Sequence, residues 1–223
     1  MEQDHGVGKT TLSLQIGEKI AENKKNVVFI SLEMAYTQLI EKMISRRTNI
    51  NSYKMKMGTI ENDIEWQKIA NASQSISELP ITISTNVRTI QDIEYYAKTL
   101  KNQNKIDLMI IDYIQLLRDK DSFQSREQEV ADISRRLKLL TLDLNIPIIA
   151  LCQLNRNANE REPSMADLRE SGSLEQDADN IIFIYQENPE NTILKLAKQR
   201  NGDTGKVKVK FEKSISSFIS YTL

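Results

Sequence analysis

The chain has 223 residues, 39% of them hydrophobic and 27% charged. That suits one large α/β domain with a full core. The formal net charge is −1, which excludes recognition of nucleic acid through a global basic field; any contact with an acidic polymer must come from a few placed Lys and Arg residues.

The chain opens "MEQDHGVGKTTLSLQIGEKI". Over 9–23, Leu12, Leu14, Ile16 and Ile20 are spaced among polar residues, which predicts an amphipathic helix. A phosphate loop needs glycines that let successive backbone N–H groups face the β-phosphate, a Lys for the β/γ oxygens and a Ser or Thr for Mg²⁺. The helix behind it adds its N-terminal dipole. Gly6, Gly8, Lys9, Thr10 and Thr11 supply that half of the pattern. The other half fails, because Gln3 stands where G-x-x-x-x-G-K-[ST] begins with glycine. An ordinary Gly-Lys helix start fits the same letters.

Four apolar runs follow in order: "NVVFISLE" (26–33), "LPITIS" (79–84), "IDLMIIDYIQLL" (106–117) and "IPIIALCQ" (146–153). Each is apolar on both faces, as parallel strands covered by helices are. Residues 36–47, 60–78, 89–102 and 125–144 read as helices between them. The alternation predicts an α/β fold with a mostly parallel, doubly wound sheet. Three of the runs carry a polar residue at or just past their carboxyl ends, where open α/β sheets bind ligands. Glu33 fits a base for water, Asp112 fits an acid for Mg²⁺, and Gln153 fits an amide that senses a γ-phosphate. Taken singly, each also fits a solvated strand end.

Residues 155–176 are charged and hold Pro163 and Gly172, so they read as a functional loop. Beyond them "DNIIFIYQ", "TILKLAKQ", "GKVKVKFE" and "SSFISYTL" alternate and are punctuated by Asn-Pro and Asn-Gly. They predict antiparallel strands extending the sheet on one side. Cys152 is the single cysteine. It excludes an internal disulfide and, after "IPIIAL", reads as a buried small hydrophobe in a reducing cytoplasm. The polar N-terminus does not read as a signal peptide, and no apolar run approaches a membrane span.

From about Gly8 to Phe218 the chain resembles the C-terminal motor domain of DnaB-type replicative DNA helicases, a hexameric ring family with the RecA-like P-loop NTPase fold. The residues that carry the resemblance are "GKTTLSLQIG", "VVFISLEM", "MIIDYIQLL", "IPIIALCQLNR" with "DLRESGSLEQDADNIIFIY", and "LAKQRNGDTGKVKVKF". The resemblance implies ATP and Mg²⁺ at Lys9 and Thr10, with Glu33 activating water and Asp112 as the second acid. It implies that Gln153 couples the γ-phosphate to the DNA side. Lys198 and Arg200 would reach into the neighbouring subunit's site. Arg169, Glu170 and Gly172 of "RESG" would grip single-stranded DNA by its backbone. It also implies a homo-oligomer, a primase and a helicase loader as partners, and no membrane. Read from the residues alone, "RESG" is a surface turn with an Arg–Glu pair, and "KQRNGDTG" serves equally as a plain hairpin.

The front departs from that family. Its motor has a strand just before the phosphate loop, and it carries an N-terminal helical domain and a linker helix. The expectation is therefore one RecA-like domain over 1–223, N-terminally truncated, with weakened nucleotide binding and weak self-assembly. A binding or regulatory partner of full-length helicase is the other expectation.

Overall fold

A computed structural model describes residues 7–119, 121, 123–154, 161–188 and 190–221, with the backbone alone at 169–171. Strands β1 (Val27–Ser31), β2 (Ile81–Ser84), β3 (Leu108–Asp112) and β4 (Ile148–Ala150) pair in parallel in the order β2-β1-β3-β4. Val28 lies opposite Met109 and Ile30 opposite Ile111. Because side chains alternate along a strand, each strand feeds two cores. Val28, Ile30, Met109 and Ile111 pack against helices α5 (Ile90–Asn102) and α6 (Arg126–Leu144), through Ile90, Ile93, Ile133 and Leu137. Val27, Phe29, Leu108 and Ile110 pack against α1 (Lys9–Glu22), α2 (Tyr36–Thr48) and α4 (Asp63–Ser77), through Leu14, Leu39, Met43 and Ile76. Burying each such side chain fully stabilises the fold by roughly 1.5–3 kcal/mol. The α/β expectation is met.

Helix starts follow their caps. Asn62 accepts from Glu65 N–H at 2.8 Å, Thr89 from Asp92 N–H at 3.2 Å and Ser125 from Gln128 N–H at 3.3 Å. Helix α3 (Ser52–Met57), not anticipated from the sequence, is capped in the same way by Asn51. Gly17 lets α1 lie close on β3: a Cβ there would stand 3.1 Å from Ile110 Cδ1.

The C-terminal strands are antiparallel as expected: β5 (Asn180–Gln186), β6 (Thr192–Gln199), β7 (Gly205–Glu212) and β8 (Ser217–Ser220). They differ from expectation in forming a sheet of their own, β5-β6-β7-β8, rather than extending the first. Among the described residues β4 pairs only with β3, and β5 only with β6. Helices hold the two sheets together. The Gln15 amide of α1 donates to Phe218 C=O and accepts from Phe218 N–H, both at 2.9 Å.

The segment read as loop is partly regular. Met165–Ser171 is a 3₁₀ turn and Gly172–Asp177 is helix α7. The 3₁₀ turn has a local cause: Asp167 accepts from Ser164 N–H at 2.7 Å and from both guanidinium ends of Arg161, at 2.9 and 2.5 Å. Among the described residues no helix is long and apolar enough to cross a membrane.

Candidate active site

The N-terminus of α1 meets the carboxyl ends of β1, β3 and β4. Gly8, just before α1, has φ of 90°, a left-handed conformation that glycine adopts without strain. Any side chain there would collide with the stacked Phe211–Phe218 pair, whose Phe218 Cζ would lie 2.6 Å from the new Cβ. Lys9 opens the helix. Its ammonium donates to Cys152 C=O at 3.2 Å and lies 5.8 Å from the Tyr113 ring centroid. Burial lowers its pKa, while Cys152, Asp112 and Glu33 act in the opposite direction.

Asp112 closes β3 at 1% exposure. The Thr10 hydroxyl donates to its carboxylate, and burial, the largest influence, still pushes its pKa up. Its second oxygen, Oδ2, is buried with no hydrogen-bond partner. A buried acceptor without a donor is costly. A hard divalent cation takes oxygen ligands of this kind, carboxylate and hydroxyl together. The residues present therefore fit Mg²⁺ with a phosphate group, bound between Lys9, Thr10 and Asp112.

Glu33 lies two residues past β1, is exposed, and acts electrostatically on both Lys9 and Tyr113. Gln153 lies past β4 and is exposed. Its main chain is gripped by Gln115: Gln153 N–H donates to Oε1 at 3.1 Å, and Gln115 Nε2 donates to Gln153 C=O at 2.9 Å. Gln115 also donates to Cys152 Sγ at 2.8 Å. Arg126 in turn donates to Gln115 C=O at 2.7 Å and Leu117 C=O at 2.8 Å. Sequence reasoning missed Gln115, Arg126 and Tyr113. The available signal was the polar residue inside "YIQLL", directly after Asp112. Thr11 is buried at 2% exposure, and Gly6 lies outside the described residues.

Lys9, Thr10, Glu33 and Asp112 thus form one group, joined by the Gln153 backbone through Cys152. Lys198 and Arg200 belong to another. The register of β6 shifts, so that Ile182 faces Leu196 but Ile181 faces Lys198, leaving Ala197 as an extra residue. Such a bulge re-aims the side chains after it. Without it, Lys198 would share the apolar face of Leu194 and Leu196. With it, the ammonium donates to the α7 carbonyls of Glu175 at 2.5 Å and Gln176 at 3.5 Å. Arg200 pairs with Asp179 at 2.9 Å. Asp179 also accepts from Lys138 of α6 at 2.6 Å. That hydrogen bond, with the charges of Lys138, Arg200 and Lys198, holds Asp179 below the usual carboxylate range.

Of the DNA-contact candidates, Gly172 is exposed at the start of α7. Arg169 and Glu170 fall on the 3₁₀ turn, and their side chains lie outside the described residues. The base of this segment is fixed to the second sheet. Glu162 takes Lys195 and Lys206, each at 2.6 Å, and these two lysines hold its carboxyl at about 2.

A helix opening on a left-handed glycine and a lysine, beside a buried strand-end Asp, defines the class of α/β phosphate-loop nucleotide-binding domains. The particular family follows from comparison. The family model for the DnaB-like helicase C-terminal domain matches residues 4–220, and the chain belongs to that family. The chain is 37% identical to the replicative DNA helicase DnaB of Geobacillus stearothermophilus, over 96% of this chain and 50% of that protein. It is 36% identical to the replicative DNA helicase DnaC of Bacillus subtilis, again over 96% and 50%. The chain therefore spans about half the length of these relatives. Among solved structures, one described as an ATPase domain superposes with a TM-score of 0.91 at 31% identity, covering 98% of this chain and 82% of that one. A DnaB-like replicative helicase, described with its interactions with primase, gives 0.91 and 31% over 98% and 56%. The RecA-like P-loop fold expected from the motifs is thereby established.

Proposed function

We propose that this chain is the motor of a replicative DNA helicase, an ATP hydrolase that couples hydrolysis at subunit interfaces to movement on single-stranded DNA and duplex unwinding. The observation that carries this is the buried, unpartnered Asp112 Oδ2 beside Thr10 and Lys9.

In this reading the Lys9 ammonium and the first N–H groups of α1 bind the β- and γ-phosphates of ATP. Thr10 and Asp112 hold Mg²⁺, which when bound neutralises charge on the phosphates. Glu33 accepts a proton from the attacking water, at the open end of the site. The Gln153 side chain, on a backbone fixed by Gln115, senses the γ-phosphate. Arg200 and Lys198 act in the neighbouring subunit's site, where a guanidinium stabilises charge on the transferring phosphoryl group. Arg169, Glu170 and Gly172 contact the backbone of single-stranded DNA, and a ring brings several such loops together without a basic subunit. A homo-oligomeric ring is required for the trans roles. A primase partner is supported by the solved relative described with primase, and a loader by family membership alone.

A second reading has its own support. Among the described residues β4 and β5 each have one edge without a strand partner, which suits a chain that docks on full-length helicase subunits or a loader and performs no chemistry. Steady-state ATPase with and without single-stranded DNA, beside Lys9→Ala, separates the two. The motor reading expects turnover that rises with DNA and vanishes in the variant. Turnover no higher than that of Lys9→Ala would leave the binding role.

A further inference from the structure

Arg200 is held by the chain that presents it. Its backbone N–H donates to Asp179 C=O at 2.9 Å, while its guanidinium pairs with the Asp179 carboxylate, also at 2.9 Å. The pair is near the surface, with the two side chains 55% and 47% exposed. Exposed pairs of this kind are weak and exchangeable. The carboxylate is also contested: Lys138, one α6 turn beyond Ser134, takes its other oxygen at 2.6 Å. Ser134 itself donates to Asp177 at 2.6 Å. Asp179 is thus placed by α6, independently of Arg200, and offers the guanidinium a fixed anion within its own subunit.

We propose that Asp179 is a latch for Arg200: its carboxylate occupies the guanidinium until a triphosphate in the neighbouring subunit takes its place. Asp179 is a positioning residue, acting through Arg200. The proposal rests on the reading of Arg200 as a residue that works across a subunit interface. It differs from that reading by naming what Arg200 leaves. A carboxylate and a phosphate compete for the same planar fork of donors. The apparent affinity for the neighbour's nucleotide is then reduced by the fraction of Arg200 that is latched. An exposed pair sets that factor at about 2–5-fold.

The network gives opposite signs for two variants. Asp179→Asn removes the anion and frees Arg200. Lys138→Met removes the cation on the other oxygen and leaves the whole carboxylate charge to Arg200, while the main-chain bond from Arg200 N–H to Asp179 C=O and the Ser134–Asp177 bond still place the residue, so the Asp179–Arg200 pair strengthens. The test is phenylglyoxal labelling of Arg200, read by mass spectrometry, on the full chain while Mg²⁺ and a non-hydrolysable ATP analogue are titrated, with Lys9→Ala as the nucleotide-blind control. Without nucleotide, Asp179→Asn should label about 2–5-fold faster than the parent and Lys138→Met more slowly. The analogue concentration giving half-protection should fall by a similar factor in Asp179→Asn and rise in Lys138→Met. A general loss of structure would move both variants in one direction. Equal labelling rates in all three proteins, with protection by nucleotide intact, would overturn the latch and leave the trans role of Arg200 standing. Absence of nucleotide protection in the parent chain would overturn the trans role, and the latch with it.

Discussion

Replacing Asp112 by Asn separates the cost of the site from its use. In the parent, a carboxylate at 1% exposure keeps one oxygen unpaired, and burial pushes its pKa up. An unpaired buried amide costs about 1–3 kcal/mol, and an unpaired charge costs more. Asp112→Asn is therefore expected to melt, without ligand, no lower than the parent by more than about 1 kcal/mol, a change of about 2–4 °C for a chain of this length. The pH dependence follows. A carboxyl whose folded pKa is raised contributes stability that is fully present below the unfolded value near 3.8 and is lost as pH rises through the folded pKa. The Asn variant lacks that loss, so its melting temperature should gain on the parent as pH rises from about 3.8. With Mg²⁺-nucleotide at about 100 times Kd, the parent should gain roughly 2.7 kcal/mol, or about 5–11 °C. In the variant that shift should shrink below about 2 °C. Thermal unfolding across pH, with and without Mg²⁺-nucleotide, measures all three effects. A variant that melts well below the parent at neutral pH, or that keeps the full nucleotide shift, refutes the assignment.

Glu18→Gln tests the join between α1 and α2. Glu18, 6% exposed, accepts from Arg46 and, at 2.9 Å, from Arg47; burial first, then Arg47, lowers the Arg46 pKa to about 10. Breaking such a buried pair costs roughly 3–5 kcal/mol, hence a drop in Tm of about 6–20 °C, whereas a drop under about 2 °C would show the pair is not structural. Gly8→Ala should cost at least about 1–2 kcal/mol for the left-handed backbone alone, with a further loss from the Phe218 collision. A parent-like Tm in a calorimetric scan would contradict the Gly8 geometry. Gln115→Leu removes the clamp on Cys152 and Gln153. It should lower DNA-stimulated kcat roughly ten- to hundredfold through misplacement, with Tm falling only by the equivalent of one or two hydrogen bonds, about 1 kcal/mol each. Unchanged kcat would make Gln115 a surface contact.

The parts of the fold legible in the sequence are those set by local pattern. Runs apolar on both faces placed β1 to β4, and polar residues at their ends placed Glu33, Asp112 and Gln153 near Lys9. What stayed hidden depends on distant partners. Gln115 sits in an apolar run read as strand, and its role appears only when β4 lies alongside. The extra Ala197 is invisible in "TILKLAKQ", because a bulge is a property of two strands and not of one. Helix α7 lies among breakers and is held at Asp177 by Ser134, a residue of another helix, with Lys138 holding Asp179 just beyond it. Asp179 looked like any surface acid until α6 and β6 converged on it.

The two sheets meet through side chains rather than through a ladder. On one face the Gln15 amide of α1 takes both main-chain groups of Phe218, and Arg46 of α2 donates to Ser216 C=O at 2.9 Å. On the other, α6 holds Asp177 and Asp179. Between them β4 and β5 each keep one edge without a strand partner among the described residues, and Ile182 of β5 is 55% exposed. Main-chain edges of this kind are places where a further strand pairs. The division also sorts the chemistry. Lys9, Thr10, Glu33 and Asp112 ride on the first sheet and α1, whereas Lys198 and Arg200 ride on the second. The route between the groups runs through α6, whose Arg126 anchors Gln115 near its start and whose Lys138 takes Asp179 three turns on. A displacement of α6 relative to β3 would therefore be felt at Gln153 and at Arg200 together, although those residues belong to different sheets.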